Sequence, residues 1–253
     1  MISKVEIKYL TRLHLRKYRK HHGQFILEGA RLIKEALAAN VEISKLWHVP
    51  WEMLNNIQKT ILRSAKTKNI ILEETEFDDL SKISDTVHHQ GLIGIAALPE
   101  VPSLKGTADK SILYLEEIRD PGNLGTLFRT AWWFGIEHVT LSPKCVDPYN
   151  PKVVRAGMGA HFNLSIYPQV ELGDLSALGY TILVADQGGK PLTEIHFNKR
   201  IFCLVMGSEA HGVSQRSRTL ASELLAIPRV NKAESLNVAV AAGILLFSLT
   251  QNT

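Results

Sequence analysis

The chain has 253 residues, 45% of them hydrophobic, which suits one large domain or two modest ones, each able to bury a core. Its net charge of +4 fits either ordinary solubility or an anionic partner. No stretch approaches the apolar length of a transmembrane helix.

The charge excess is confined to the first part. Residues 1–110 hold 17 Lys/Arg against 13 Asp/Glu, whereas residues 111–253 hold 12 of each. Residues 1–31 alone carry eight basic and two acidic side chains. The run includes Arg16, Lys17, Arg19 and Lys20 and reads either as a solvated helix face or as a nucleic-acid footprint. It is poor in serine and leads straight into Phe25-Ile26-Leu27, so it makes a poor transit peptide.

Arg12 to Lys20 predicts a helix and Phe25 to Leu27 a short strand. Arg31 to Ala39 has helical apolar spacing at Leu32, Ile33, Ala36 and Leu37. Leu46–Val49, Ile70–Leu72 and Gly91–Ala97 are further strand candidates. Residues 99–110, with two prolines and a glycine, predict a linker. The expected division is therefore 1–98, a linker at 99–110, and 111–253.

Beyond the linker, strands and helices alternate. Ile112–Glu116, Val139–Leu141, Ile182–Ala185, Phe202–Met206 and Leu224–Ile227 predict strands, and Ser235 to Leu249 predicts a long apolar helix. That alternation predicts an α/β fold with a mostly parallel sheet. Ligands of such sheets lie beyond the carboxyl ends of the strands. Cys145 and Cys203 have no Cys-x-x-Cys partner and read as reduced thiols of a cytoplasmic protein. No metal site is expected.

Three loops after strands are polar and glycine-rich. The first, Arg119-Asp120-Pro121-Gly122-Asn123-Leu124-Gly125, runs into a helix, with Asn123 a candidate N-cap. It lacks a complete G-x-G-x-x-G. Arg129 follows in an apolar helix, either snorkelling to water or pairing with an anion. The second, Met206-Gly207-Ser208-Glu209-Ala210-His211-Gly212, reads as a simple turn or as a place of close ligand approach. The third runs from Ile227 and Pro228 to Ser235, Leu236 and Asn237. In it Asn231 suits a left-handed backbone, Ser235 a helix cap, and Asn237 asks for a hydrogen-bond partner.

Together the loops resemble the SpoU/TrmH branch of the SPOUT RNA methyltransferases. Asn-x-Gly-x-x-x-Arg matches Asn123, Gly125 and Arg129. Gly-x-Glu-x-x-Gly matches Gly207, Glu209 and Gly212. Ile-Pro followed by Ser-Leu-Asn-Val matches Ile227, Pro228 and Ser235 to Val238. Residues 150–160 also look like the family, with Gly157 where members often carry serine. Arg19-Lys20 through Gly29, with Gln90-Gly91, resembles the substrate-binding domain of rRNA-modifying members, itself similar to ribosomal proteins that bind bent RNA.

The resemblance implies a C-terminal domain with a deep trefoil knot, a small N-terminal α/β RNA-binding domain and a homodimer. It implies transfer of a methyl group from S-adenosylmethionine to a ribose 2′-hydroxyl, with large-subunit rRNA the first choice of substrate and tRNA the second. It implies Ala185, Met206, Gly207, Gly212, Ile227, Pro228 and Leu236 around the cofactor. Arg129, Asn123, Glu209, Asn237 and Ser235 would be catalytic. RNA would meet Arg16, Lys17, Arg19, Lys20 and Arg129. The family's matching arginine is usually described as the base. A guanidinium stays protonated in proteins, so Arg129 is expected instead to bind an RNA phosphate and stabilise the incipient alkoxide. A nucleotide-binding oxidoreductase and a non-catalytic RNA-binding protein on the same scaffold are the rival readings.

Overall fold

Apolar runs bounded by caps and turns set the elements. A computed structural model describes residues 2–86, 89–194, 201–232 and 234–251. The chain divides into two compact units. One holds residues 1–100 and 149–162, the other 101–148 and 163–253. Residues 149–162, inside the span expected to form the second domain, thus pack with the first unit.

The first unit opens with α1 (Lys4–Arg12) and α2 (Arg16–His22). There follow β1 (Gln24–Glu28), α3 (Ala30–Ala38), β2 (Ile43–His48), α4 (Asn56–Thr67), β3 (Ile71–Glu74), α5 (Phe77–Ile83) and β4 (Leu92–Ala97). Its sheet has the order β1-β4-β2-β3, with β2 and β3 parallel and the other pairs antiparallel. Capping boxes begin α1 (Ser3 with Glu6) and α4 (Asn55 with Gln58). Phe25, Leu27, Ile33, Leu46, Trp47 and Leu62 fill the core. The helix Pro151–Gly157 adds Val154 to it, and its Arg155 pairs with Glu28 and Asp85.

The single helix expected over Arg12 to Lys20 is two helices broken at residues 13–15, and Arg19 explains the break. This side chain is 1% exposed, and its Nη1 donates to the carbonyls of Leu13 and His14, each at 2.8 Å. Carbonyls at a helix end lack helical partners, and a buried guanidinium needs acceptors. Arg19 Nη1 supplies the donor that these two carbonyls lack. The expectation that Arg19 faces RNA is therefore corrected: it is a structural cation, whereas Arg16, Lys17 and Lys20 are exposed.

The second unit is built from β5 (Ile112–Leu115), α6 (Pro121–Trp133), β6 (His138–Leu141), β7 (Ser165–Pro168), α8 (Leu172–Ala177), β8 (Ile182–Pro191), β9 (Cys203–Met206), α9 (Gln215–Leu220), β10 (Glu223–Ala226) and α10 (Val238–Thr250). The helix Pro151–Gly157, between β6 and β7, is α7. The sheet order is β10-β8-β9-β5-β6-β7, every pair parallel. Parallel strands are covered on both faces, and all four residues of both β5 and β9 are buried. From β5 the chain builds outward to β6 and β7, then continues on the opposite side through β8 and β9. The carboxyl ends of β5 and β9 therefore flank the point where the winding reverses, the usual ligand crevice of such sheets. Among the described residues no helix is long and apolar enough to cross a membrane.

Candidate active site

The first loop leaves β5 and enters α6 by a cap different from the expected one. Asp120 is the N-cap, accepting the Asn123 backbone N–H at 2.7 Å, and Pro121 occupies the first helical turn. Asn123 is thus relieved of capping, and its side chain projects from the helix start. Its Nδ2 donates to Glu209 Oε1 at 2.6 Å, and its Oδ1 accepts Asn237 Nδ2 at 2.9 Å. Residues from all three loops meet there.

The direction of these bonds is set by α10. Asn237, not Ser235, caps that helix, its Oδ1 accepting the Ala239 N–H at 2.9 Å and the Val240 N–H at 3.4 Å. Its amide nitrogen is then left to donate to Asn123, which in turn donates to a carboxylate acceptor. The result is a one-way chain from Asn237 through Asn123 to Glu209. The partner that the sequence demanded for Asn237 is therefore both the α10 amides and Asn123. Ser235 is exposed.

The second loop owes its shape to glycine. Ser208 and Gly212 exchange two backbone hydrogen bonds, 3.0 and 2.9 Å, closing a loop with Glu209 at its turn. Gly207 lies so close to Gly212 that an added Cβ would stand 2.2 Å from its carbonyl carbon. Gly212 has φ +64°, the left-handed region that glycine enters freely.

The cofactor-lining candidates sit beyond three neighbouring strands: Ala185 on β8, Met206 and Gly207 at the end of β9, and Ile227 and Pro228 just past β10. Met206 and Gly207 are buried, Ala185 and Ile227 half-buried, and Gly212, Pro228 and Leu236 exposed. Beyond Val184 the β8 backbone bulges. Leu224 pairs with Val184, but the next residue, Leu225, pairs with Lys190. Gly189 permits the return, since a Cβ there would lie 2.5 Å from the Leu224 carbonyl. Within the bulge, Asp186 accepts the Gly188 N–H at 2.8 Å and Arg218 Nε at 2.7 Å. Partial burial works to raise the Asp186 pKa, but these two donors outweigh it and hold the carboxyl below its ordinary value. Gln187 Nε2 reaches the Glu234 carbonyl at 2.8 Å and ties the bulge to the third loop.

Arg129 is exposed on α6, six residues and about 9 Å of helix rise beyond Asn123. It makes no hydrogen bond or ion pair with another described residue. Asn231 is not among the residues of positive φ, so its expected left-handed backbone is corrected. His211 is exposed. The described residues contain no cluster suited to a metal ion.

The SpoU rRNA Methylase family pattern matches residues 110–247, more than half of the chain. The chain belongs to the SpoU rRNA Methylase family. A pattern for an MRM3-like substrate binding domain matches residues 4–94 of this SpoU-family protein. It is 30% identical to the 23S rRNA (guanosine(2553)-2'-O)-methyltransferase RlmP of Bacillus subtilis, covering 96% of this chain and 95% of RlmP. A TrmH-family structure from Porphyromonas gingivalis superposes with a TM-score of 0.86 at 31% identity, over the whole of both chains. An AdoMet-bound rRNA methyltransferase from Sinorhizobium meliloti gives a TM-score of 0.85 at 25% identity, covering 99% of this chain and 97% of that one.

In this SpoU-family chain the sequence reading missed Glu116. It directly follows β5, and its carboxylate accepts the Ser214 N–H at 3.0 Å and the Ser217 Oγ–H at 2.9 Å, fixing the start of α9. Asp186, Gln187 and Gly189 were also missed. The Asp-Gln-Gly-Gly run directly after an apolar strand was their available signal.

Proposed function

We propose that the protein methylates a ribose 2′-hydroxyl of large-subunit rRNA, using S-adenosylmethionine. The carrying observation is the Asn237–Asn123–Glu209 chain, which joins all three family loops at the crevice between β5 and β9. The RlmP likeness supports the rRNA ribose as target, and the AdoMet-bound relative supports the cofactor.

The residues present suit such a cofactor. Gly207 and Gly189, where a Cβ would strike the chain's own backbone, let the Glu209 loop and the β8 bulge fold closely beyond adjacent strands, so that backbone rather than side chain faces the crevice. Met206, Gly207, Gly212, Ile227, Pro228, Leu236 and Ala185 would hold it. When bound, S-adenosylmethionine supplies an electrophilic methyl group on a sulfonium. Asn123 orients the ribose, and Glu209 and Asn237 keep Asn123 in register. Arg129, always charged, holds an RNA phosphate and stabilises negative charge growing on the ribose oxygen, whose proton leaves by way of that nearby phosphate. Ser235 is free to bond the bound groups. The test is transfer of radiolabelled methyl from S-adenosylmethionine to unmodified rRNA, with the product mapped at nucleotide resolution. Label on a base, or none on RNA, sinks the reading.

The second unit is read as knotted, on family membership and its all-parallel sheet. A homodimer completes the reading. The helix α10 carries no charged residue, and Val240, Ile244 and Phe247 at helical spacing are exposed on it, as are Trp132 and Trp133 on α6. So apolar a face calls for a cover, here a second copy. Val240→Glu with Phe247→Lys is expected to convert dimer to monomer in analytical ultracentrifugation. A monomeric wild type would exclude the dimer.

The first unit binds the RNA. Replacing Arg16, Lys17 and Lys20 by Gln is expected to weaken binding and flatten the plot of log affinity against log salt by about 2. An unchanged slope would leave the run a solvated face.

A further inference from the structure

The helix α4 carries a cationic surface that the basic N-terminal run does not include. Residues 56–68 contain four basic residues and no acidic one. Lys59, Arg63 and Lys66 fall at i, i+4 and i+7, which puts them on one face of the helix. None of the three has a carboxylate partner among the described residues. At one end of this stripe stands Trp51, 37% exposed. Lys59 Nζ lies 5.6 Å and Arg63 Cζ 5.7 Å from its ring centroid. The nearby carboxylates are those of Glu52, exposed next to Trp51, and Glu74, which accepts the Trp51 backbone N–H at 3.3 Å.

A row of cations without carboxylate partners, two of them beside an accessible indole, combines the two elements of single-strand binding. Cations follow the phosphates, and a base stacks on the aromatic ring. The surface is separate from α2. The sheet order is β1-β4-β2-β3, α2 packs against the β1 edge and α4 against β3. Three strand spacings, about 14 Å, lie between those edges.

We propose that Trp51, Lys59, Arg63 and Lys66 form a second RNA-contact surface, gripping an unpaired stretch of the substrate away from the α2 contact. One base stacks on Trp51 while Lys59, Arg63 and Lys66 engage successive phosphates. The inference rests on the reading of the protein as an RNA methyltransferase.

The test uses the full chain and an unmodified large-subunit rRNA transcript, with binding measured across a salt series. Lys59→Gln, Arg63→Gln and Lys66→Gln together are expected to flatten the salt slope by about 2. Trp51→Ala is expected to lower affinity about tenfold with an unchanged slope, and Trp51→Tyr to restore it. Thermal unfolding of each variant separates lost contacts from lost fold. Variants that fold and bind as wild type overturn the α4 surface while leaving the methyltransferase reading intact. A wild type that neither binds nor methylates RNA overturns both.

Discussion

Arg129→Ala is expected to lower kcat by about 10²- to 10³-fold while S-adenosylmethionine binding stays within twofold of wild type. Alanine is the best helix former, so α6 loses nothing intrinsically. Arg129 is exposed and makes no hydrogen bond or ion pair with other described residues, so none is broken. What disappears is a permanent positive charge, and such a charge helps most where negative charge develops during reaction. Lysine at this position should recover part of the rate, since it keeps the charge but not the planar fork. Both quantities should be measured on one preparation, kcat by methyl incorporation and cofactor affinity by calorimetry. Loss of cofactor binding with RNA binding intact would move Arg129 out of its assigned role.

Gly207→Ala should be damaging as well, by another route. The new Cβ would meet three backbone atoms at once: the Gly212 carbonyl carbon at 2.2 Å, its oxygen at 2.4 Å and the Val213 nitrogen at 2.4 Å. No rotamer relieves a clash with backbone, so the Ser208–Gly212 pairing must open. Glu209 would then leave Asn123, and the cradle proposed for the cofactor would lose a wall. We expect about 2 kcal/mol or more of destabilisation, roughly 4–8 °C in Tm, with cofactor affinity down at least about tenfold. Gly212→Ala is the control. It has open space around its Cβ but a left-handed backbone, so it should cost about 1 kcal/mol. Calorimetry and thermal melts on both variants check the order. Equal, small effects would mean that the loop is not held as tightly as its geometry implies.

The strands around the crevice were legible because each is a short apolar run between turns. Ile112–Leu115 and Cys203–Met206 are examples, buried at every position. The strand Ser165–Pro168 was not legible, since a serine, a tyrosine and a proline break its apolar signal. The loops could be found from glycines and caps, but which polar residue capped which helix could not. Asp120 and Asn123 are both good caps, and Pro121 decides between them by fitting the first turn. Arg19 shows the converse limit. Charge is visible in sequence, but burial against the Leu13 and His14 carbonyls is a tertiary fact. The meeting of Asn123 with Glu209 and Asn237, 86 and 114 residues away, has no local signature and was suggested only by the family resemblance.

Because residues 149–162 side with the first unit, the polypeptide passes from one unit to the other three times. Dissecting the protein at the 99–110 segment would therefore not yield two clean halves. A fragment starting near residue 110 would carry Val154 and Arg155 without the Phe25 core and Glu28 that receive them. The amino-terminal fragment would in turn be missing a helix. Anyone wishing to express the units singly would need to excise α7 and reattach it, rather than cut once.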